Sequence, residues 1–254
     1  MKHIPRKRFG QNFLTDDGVL HDIIAAIDPQ ADDAMVEIGP GLAAMTRLIL
    51  ERVRHLHVVE LDRDLVTRLN KQFDSARLTV HSADALQFDF TQIPVPEGQK
   101  LRVVGNLPYN ISSPLLFHLA QISQHVRDQH FMLQKEVVER MAAEPGSKTY
   151  GRLSVMLQWR YHIELLFVVP PTAFDPPPQV DSAIVRMIPK AEPLACDQAK
   201  LEKVVQQAFS QRRKVIRNCL SGMFTENQLI DVGVDPQARP EAIPLEQYVA
   251  LANL

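Results

Sequence analysis

Short apolar runs alternate with amphipathic segments of helical periodicity along the first 190 residues of the chain. Apolar runs that end at small or turn-forming residues are typical of buried parallel strands. Strands are predicted at 34–38, 56–60, 78–81, 103–106, 130–134, 163–169 and 182–188. Because helices separate the first of these strands, the pattern predicts an α/β domain in which helices cover both faces of a parallel sheet.

The pattern changes after the proline-containing stretch 189–193. From residue 198 to the end, apolar positions follow helical spacing, and a glycine turn at residue 222 separates short helices. We therefore predict two domains: an α/β domain over residues 1–190 and a small all-α domain over residues 191–254.

A glycine-containing turn at residues 39–44 joins the first predicted strand to the next helix. Gly39 and Gly41 would let a ligand approach the backbone closely, and the helix amino terminus offers free N–H groups. Glu60 ends the second strand, at a spacing that suits a carboxylate binding ribose hydroxyls. The same pattern also fits a nicotinamide-nucleotide fingerprint, so a dehydrogenase is an alternative at this point.

Polar residues also follow the next two strands. Asp84 could accept a hydrogen bond from the amino group of a purine, although by itself it is more typical of a loop or cap residue. Asn106 ends the fourth strand. Since ligands bind at the carboxyl ends of the strands in open α/β sheets, both residues are expected to lie beside the glycine turn and Glu60.

The stretch Asn106-Leu107-Pro108-Tyr109 suits alkylation of an exocyclic aromatic amine. The Asn106 side-chain oxygen and the Leu107 carbonyl would accept the two N–H groups of adenine N6, and Tyr109 would stack on the base. Taken alone, so short a match favours an asparagine-initiated turn in which Pro108 and Tyr109 are packing residues.

Phe174 lies within the proline-dense stretch 170–178, which restricts the backbone on both sides of it. The ring could be a second aromatic wall around a base, or it could fill the core. The sequence leaves both alternatives open.

Two short stretches concentrate positive charge on a chain whose formal net charge is −2. One lies near the amino terminus beside Phe9, and the other follows a predicted helix of the carboxyl-terminal domain. Such stretches are typical of phosphate contacts to nucleic acid, and a solvated tail or helix face is the plainer alternative. The candidate contact residues are Arg6, Lys7, Arg8, Arg212, Arg213, Lys214 and Arg217.

The composition argues against several other classes of protein. Cys196 and Cys219 are too few for a disulfide framework or a cysteine-based zinc site, and the nine histidines show no metal-ligand spacing. No apolar run is long enough to span a membrane, and no hydrophobic segment follows the basic start as in a signal peptide. We expect a cytoplasmic protein without a metal, and a monomer by default.

Taken together, these residues resemble the small-subunit ribosomal RNA adenine dimethyltransferases, the kasugamycin-resistance methyltransferase family. The similarity runs nearly end to end, and the order and spacing of the motifs make it specific. The matching segments are 6–14, 37–41, 60–62, Asp84, 106–109, 133–136, Phe174 with its prolines, 180–183 and 209–214.

The resemblance implies a class I methyltransferase with a Rossmann-like α/β sheet, mostly parallel with an antiparallel last strand, plus a small all-α carboxyl-terminal domain that faces RNA. It implies an enzyme that uses S-adenosylmethionine to dimethylate N6 of two adjacent adenosines in the loop of the 3′-terminal helix of 16S rRNA. The partner implied is the immature 30S ribosomal subunit, late in its biogenesis.

The resemblance also assigns roles to individual residues. The catalytic residues that it implies are Asn106, Leu107, Tyr109 and Phe174. The residues that it implies for S-adenosylmethionine binding are Asn12, Leu14, Gly39, Gly41, Glu60, Asp84 and Asn106. Two positions depart from the pattern of some members. Ala43 replaces a glycine and is expected to matter little, whereas Gln179 replaces a frequent lysine and puts an RNA contact there in doubt.

Two functions close to this one remain as alternatives. A non-catalytic assembly or transcription factor could keep the fold and the RNA surface, but the intact Asn106 and Tyr109 argue against it. The large-subunit rRNA methyltransferases of macrolide resistance resemble the same fold, and they usually carry isoleucine at the position of Leu107.

Overall fold

The structure is a computed structural model that describes residues 12–211 and 213–254. Its strands are β1 (Phe13–Leu14), β2 (Met35–Ile38), β3 (Leu56–Glu60), β4 (Leu78–Ser82), β5 (Leu101–Asn106), β6 (Val126–Gln134), β7 (Tyr161–Val169), β8 (Phe174–Asp175) and β9 (Ser182–Pro189). Its α-helices are α1 (Asp17–Ile27), α2 (Ala44–Leu50), α3 (Arg63–Gln72), α4 (Ser112–Gln121), α5 (Lys135–Met141), α6 (Arg152–Arg160), α7 (Gln198–Ala208), α8 (Ile216–Cys219), α9 (Glu226–Asp231) and α10 (Leu245–Ala252).

Seven strands form the main sheet, in the order β4-β3-β2-β5-β6-β9-β7. The pairs from β4 through β6 are parallel, and β9 runs antiparallel to β6. The predicted sheet, mostly parallel with an antiparallel last strand, is therefore confirmed. The order also places β2 and β5 side by side near the centre, so residues that follow these two strands emerge next to each other.

Helices α1 and α3 begin where a short polar side chain satisfies a free backbone N–H group. Asp16 caps α1 by accepting a hydrogen bond from the Val19 amide at 3.0 Å. Asp62 caps α3 in the same way through the Asp64 amide. This cap comes directly after β3, so the local sequence ends the strand and starts the helix within three residues of Glu60.

One hydrophobic core lies between the main sheet, α1 and α2. Strand residues such as Met35, Val104 and Met132 meet helix residues such as Ile23 and Ile49. These side chains are between 0% and 4% exposed, so the sheet beneath the strand ends is tightly supported.

A second, two-stranded sheet pairs β1 with β8, with Leu14 opposite Phe174. Further hydrogen bonds from the Thr15 backbone and hydroxyl reach the Ala173 carbonyl, at 2.8 and 3.2 Å. A strand of two residues is too short to show periodicity, so the sequence pattern does not predict either of these strands. Their pairing ties the first described residues to the proline-dense stretch.

Contacts divide the chain into two compact units. The first ends at Val138 and resumes over Glu164–Pro189, and the second consists of Glu139–Ile163 and Lys190–Leu254. Within the second unit, α6 packs against α7 and α10. The predicted boundary instead places α6 with the α/β part, and the division into domains over residues 1–190 and 191–254 stays a prediction.

Candidate functional site

A cavity of about 340 Å³ opens at the carboxyl ends of β2, β3 and β5. That volume lies within the range of small-molecule sites, roughly 300–1,000 Å³. The strand-end residues predicted to lie together all line it. Among the predicted site residues, the lining includes Asn12, Leu14, Gly39, Gly41, Glu60, Asp84, Asn106, Leu107 and Tyr109.

The turn between β2 and α2 has a left-handed backbone at three positions, with φ of +68° at Gly39, +57° at Gly41 and +69° at Ala43. A Cβ on Gly41 would lie 3.1 Å from the Phe13 ring, so a larger residue would crowd the mouth of the turn. Alanine is strained in this conformation, unlike glycine. Ala43 occupies the turn with its methyl group at this φ, and the expectation that the replacement of glycine matters little stays a prediction.

Glu60 is 7% exposed and bridges the turn and the next helix. Its Oε2 accepts a hydrogen bond from the Gly41 amide at 3.3 Å, and its Oε1 accepts one from the Asp62 amide at 2.8 Å. Burial raises the pKa of this carboxyl, and the two amides oppose the rise. Each oxygen retains lone pairs, so the carboxylate can still accept hydrogen bonds from a ligand.

Glu37 also lines the cavity, although it is not among the predicted site residues. It lies in β2, is 2% exposed, and its Oε2 accepts a hydrogen bond from Thr46 Oγ1 at 2.6 Å. Burial raises the pKa of this carboxyl to about 7, the Thr46 hydroxyl opposes the rise, and the nearby Glu60 adds to it. A charged residue inside an apolar strand was the signal in the sequence that pointed to this position.

Replacing Glu37 by glutamine is expected to stabilise the ligand-free protein at high pH. The unfolded carboxyl ionises near its ordinary pKa, whereas folded Glu37 keeps its proton up to about pH 7, so wild-type stability falls as pH rises across this window. Glutamine does not titrate. The variant should gain about 2 kcal/mol relative to wild type at about pH 8 and little at about pH 5.

Thermal melts of both proteins at these two pH values test this prediction. Glu97→Gln, at an exposed position, is the matched control and should show no pH-dependent difference. An equal change in Tm for Glu37→Gln at both pH values would contradict the assigned protonation of Glu37.

Asp84 follows β4 and lies on the cavity wall. Its Oδ1 accepts a hydrogen bond from the Leu86 amide at 2.9 Å, so the side chain caps the turn, as its alternative interpretation predicted. No hydrogen bond between described residues involves the second carboxylate oxygen, Oδ2, so this atom can accept a hydrogen bond from a ligand. The capping and binding alternatives are therefore compatible.

The Asn106 amide stands at the end of β5, directly beside the glycine turn. Its Nδ2 donates a hydrogen bond to the Asn12 carbonyl at 3.1 Å. Within the part of the chain that the structure describes, no group donates to its Oδ1. The bond to Asn12 therefore orients the amide and leaves the oxygen as the atom able to accept a hydrogen bond from a ligand.

Tyr109 lies in the turn after β5, half-buried on the cavity wall. Its hydroxyl forms a 2.6 Å hydrogen bond with Ser182 Oγ. Leu107 is buried, and its backbone amide donates to the Met132 carbonyl at 3.1 Å, which holds the segment between the two polar residues against β6.

Phe174 is not among the described residues that line the cavity. Its side chain is 4% exposed and belongs to the hydrophobic core, with Leu14 paired beside it. The predicted stacking of Phe174 on a base is therefore corrected for this structure. Of the two alternatives that the sequence left open, core filling is the observed one, because β8 pairs with β1 and directs the ring inward.

The predicted RNA-contact residues are described only in part. Arg6, Lys7, Arg8 and Arg212 lie outside the described residues. Arg213 and Lys214 are exposed in the loop between α7 and α8, and Arg217 lies in α8. Arg217 Nη1 approaches Glu226 Oε2 at 3.6 Å, so part of its charge is balanced locally.

Two classes of feature were searched for in residues 12–211 and 213–254. No group of three or more histidine, cysteine, aspartate or glutamate side chains there could hold a metal ion. None of the helices in these ranges is both long and apolar enough to cross a membrane.

The model of one protein family, ribosomal RNA adenine dimethylase, matches residues 2–254. The chain belongs to this family. The family resemblance inferred from the motifs is confirmed, and an adenine dimethylase replaces the dehydrogenase alternative.

Relatives of this dimethylase include proteins named ribosomal RNA small subunit methyltransferase A. The protein from Janthinobacterium sp. (strain Marseille) is 80% identical over 100% of this chain and 99% of its own length. The protein from Herminiimonas arsenicoxydans is 79% identical with the same coverage. These identities extend over both compact units.

Two solved structures share the fold of the dimethylase. A dimethyladenosine transferase from Plasmodium falciparum superposes with a TM-score of 0.80 at 24% identity, covering 94% of this chain and 95% of that one. The 23S rRNA methyltransferase ErmE superposes with a TM-score of 0.74 at 26% identity, covering 95% and 98%. The expected Rossmann-like methyltransferase fold is confirmed by this agreement.

Proposed function

We propose that this dimethylase transfers methyl groups from S-adenosylmethionine to N6 of two adjacent adenosines in the loop of the 3′-terminal helix of 16S rRNA. The observation that carries the proposal is the position of the Asn106 amide. It lies on the wall of the cavity that the glycine turn and Glu60 also line, and its oxygen is left to accept a hydrogen bond from a ligand. A donor site and an adenine-binding group thus meet at one edge of the sheet.

The residues around the turn fit S-adenosylmethionine. The left-handed backbone at Gly39 and Gly41 permits close approach of the methionine part, and Glu60 offers carboxylate oxygens to ribose hydroxyls. Asp84 would accept from the adenine amino group, and Asn12 with Leu14 would cover the donor. When bound, S-adenosylmethionine supplies a methyl group activated by its sulfonium centre.

The residues after β5 would prepare the target nitrogen. Asn106 Oδ1 and the Leu107 carbonyl would accept the two N6 protons, which favours a pyramidal nitrogen whose lone pair is no longer delocalised into the ring. Tyr109 would hold the base by stacking. A strong general base is not required, since the proton can leave after the methyl group has been attached.

The identity of the RNA is inferred from the pattern of relatives. Proteins named for the small subunit reach 80% identity, whereas the 23S rRNA methyltransferase stands at 26%. Leu107 is also the residue expected for the small-subunit enzymes in the resemblance described above. These observations favour 16S rRNA over the large-subunit alternative.

We assign the recognition of the subunit to two groups of basic residues, one near the amino terminus and one in the carboxyl-terminal part. Arg6, Lys7 and Arg8 at the amino end, and Arg212, Arg213, Lys214 and Arg217 in the carboxyl-terminal part, would contact phosphates. The proposed partner is the immature 30S subunit late in biogenesis, met by a monomer in the cytoplasm.

Methyl transfer to defined RNA substrates tests the proposal. The purified protein and S-adenosylmethionine would be incubated with 30S subunits from cells lacking this gene, with naked 16S rRNA and with 23S rRNA. Mass spectrometry of the digested RNA should show dimethyladenosine at two adjacent positions in the 30S sample only. Modification of 23S rRNA instead would favour the macrolide-resistance alternative, and no modification at any subunit concentration would favour a non-catalytic assembly factor.

A further inference from the structure

The hydroxyl of Tyr109 forms a hydrogen bond with a residue that is distant in the sequence. Its partner at 2.6 Å is Ser182 Oγ, 73 residues further along the chain. Ser182 is 0% exposed and begins β9, where it pairs with Gln134 of β6. The hydrogen bond therefore connects a turn at the cavity mouth to a rigid position inside the main sheet.

The backbone of Tyr109 is held separately. Ser112 Oγ donates to the Tyr109 carbonyl at 3.1 Å, at the start of α4. With the backbone fixed by Ser112 and the hydroxyl oxygen fixed by Ser182, the first side-chain torsion and the position of the ring are fixed. Rotation of the ring plane about its own axis leaves both contacts intact.

The anchor also determines what the ring can offer to a ligand. Burial raises the pKa of the Tyr109 hydroxyl, while the bond to Ser182 opposes the rise, so the group is a neutral hydroxyl. That hydroxyl is bonded to Ser182, so what the ring has left to offer a ligand is its apolar face. Stacking on such a face accepts any base, so hydrogen-bond recognition of adenine falls to Asn106 and Leu107.

We propose that Ser182 is a positioning residue, which holds the Tyr109 ring beside the target adenine through the hydroxyl bond and thereby raises the rate of methyl transfer. This inference rests on the proposed function. The ring contacts the base, whereas Ser182 acts only through Tyr109. Pre-orientation of a bound reactant contributes to the rate because misplaced arrangements do not react.

The effect should appear in kcat and not in the affinity for RNA. Affinity for a structured RNA depends mainly on phosphate contacts, which lie outside the cavity. Loss of one neutral hydrogen bond should lower kcat by about 3- to 10-fold. The KM for 30S subunits and the affinity for S-adenosylmethionine should remain as in wild type.

Ser182→Ala, Tyr109→Phe and the double variant test the inference, with kcat, KM and Tm measured for each. Phenylalanine keeps the stacking ring and removes only the hydroxyl. If the hydroxyl bond positions the ring, both single variants lose kcat by a similar factor and the double variant loses no more. Ser123→Ala, at another buried serine that is 2% exposed and away from the cavity, is the control and should keep wild-type kcat.

Several results would overturn the inference. Wild-type kcat in Tyr109→Phe would show that the hydroxyl is not needed, and losses that multiply in the double variant would show that the two residues act independently. A raised KM with unchanged kcat would place Ser182 in RNA binding.

If the proposed function is wrong, the wild-type protein itself modifies no rRNA. The hydrogen bond between Tyr109 and Ser182 is then tested by Tm alone. Equal, non-additive losses of Tm in the three variants support it, and additive losses overturn it.

Discussion

Replacement of Asn106 by alanine is expected to lower the rate of adenine methylation by about 2–3 orders of magnitude, the loss typical of removing a preorganised polar group that stabilises a transition state. The physical reason is the orientation of the amide. Its Nδ2 is bonded to the Asn12 carbonyl, so the oxygen is held in place before the substrate arrives. Alanine removes both the acceptor and the bond that orients it.

Single-turnover methylation of 30S subunits, with S-adenosylmethionine binding measured by calorimetry, separates the rate from donor binding. The fold should persist, because the Asn106 side chain is only partly buried. Asn70→Ala, at an exposed position on α3, is the matched control and should be fully active. Near-normal turnover by Asn106→Ala would contradict its assignment as the acceptor for the target amine.

Replacement of Gly105 by alanine is expected to lower the free energy of unfolding more than any other substitution considered for this protein. A Cβ at this position would lie 2.6 Å from the Ile38 carbonyl oxygen and 3.1 Å from Leu107 Cδ2. The carbonyl belongs to the backbone of β2, the neighbouring central strand, so it cannot rotate away as a flexible side chain would. We expect a loss of about 2–3 kcal/mol, or roughly 4–12 °C in Tm for a chain of this size.

Denaturant unfolding and S-adenosylmethionine binding of Gly105→Ala measure this effect. Because relief of the clash must move the end of β5 away from β2, binding of the donor should weaken together with stability. Gly151→Ala, where nothing lies within 4 Å of an added Cβ, is the control and should lose about 1 kcal/mol or less, since alanine is a poorer helix N-cap than glycine. Wild-type stability in Gly105→Ala would mean that the two strands tolerate a wider separation.

The sheet and the cavity floor followed from local patterns in the sequence. Each strand is a short apolar run, and Gly39, Glu60 and Asn106 come directly at or after strand ends. Parallel strands bring such positions to a common edge whatever the details of packing. Local order along the chain was therefore sufficient to collect these residues in one place.

Features that depend on distant partners could not be predicted in this way. The inward orientation of Phe174 results from the pairing of β8 with β1, which lie 160 residues apart in the chain, and no periodicity announces strands of two residues. The partnership of Tyr109 with Ser182 likewise depends on the antiparallel placement of β9 beside β6. Glu37 was identified as a strand residue, but its protonation depends on burial that only the packed structure supplies.

The pairing of Leu14 with Phe174 has a practical consequence for anyone preparing this protein. The carbonyl that orients the Asn106 amide belongs to Asn12, one residue before that short pairing begins. An alteration before residue 12 that displaces this segment would leave the main sheet folded. The Asn106 amide would then lack the hydrogen bond that orients it.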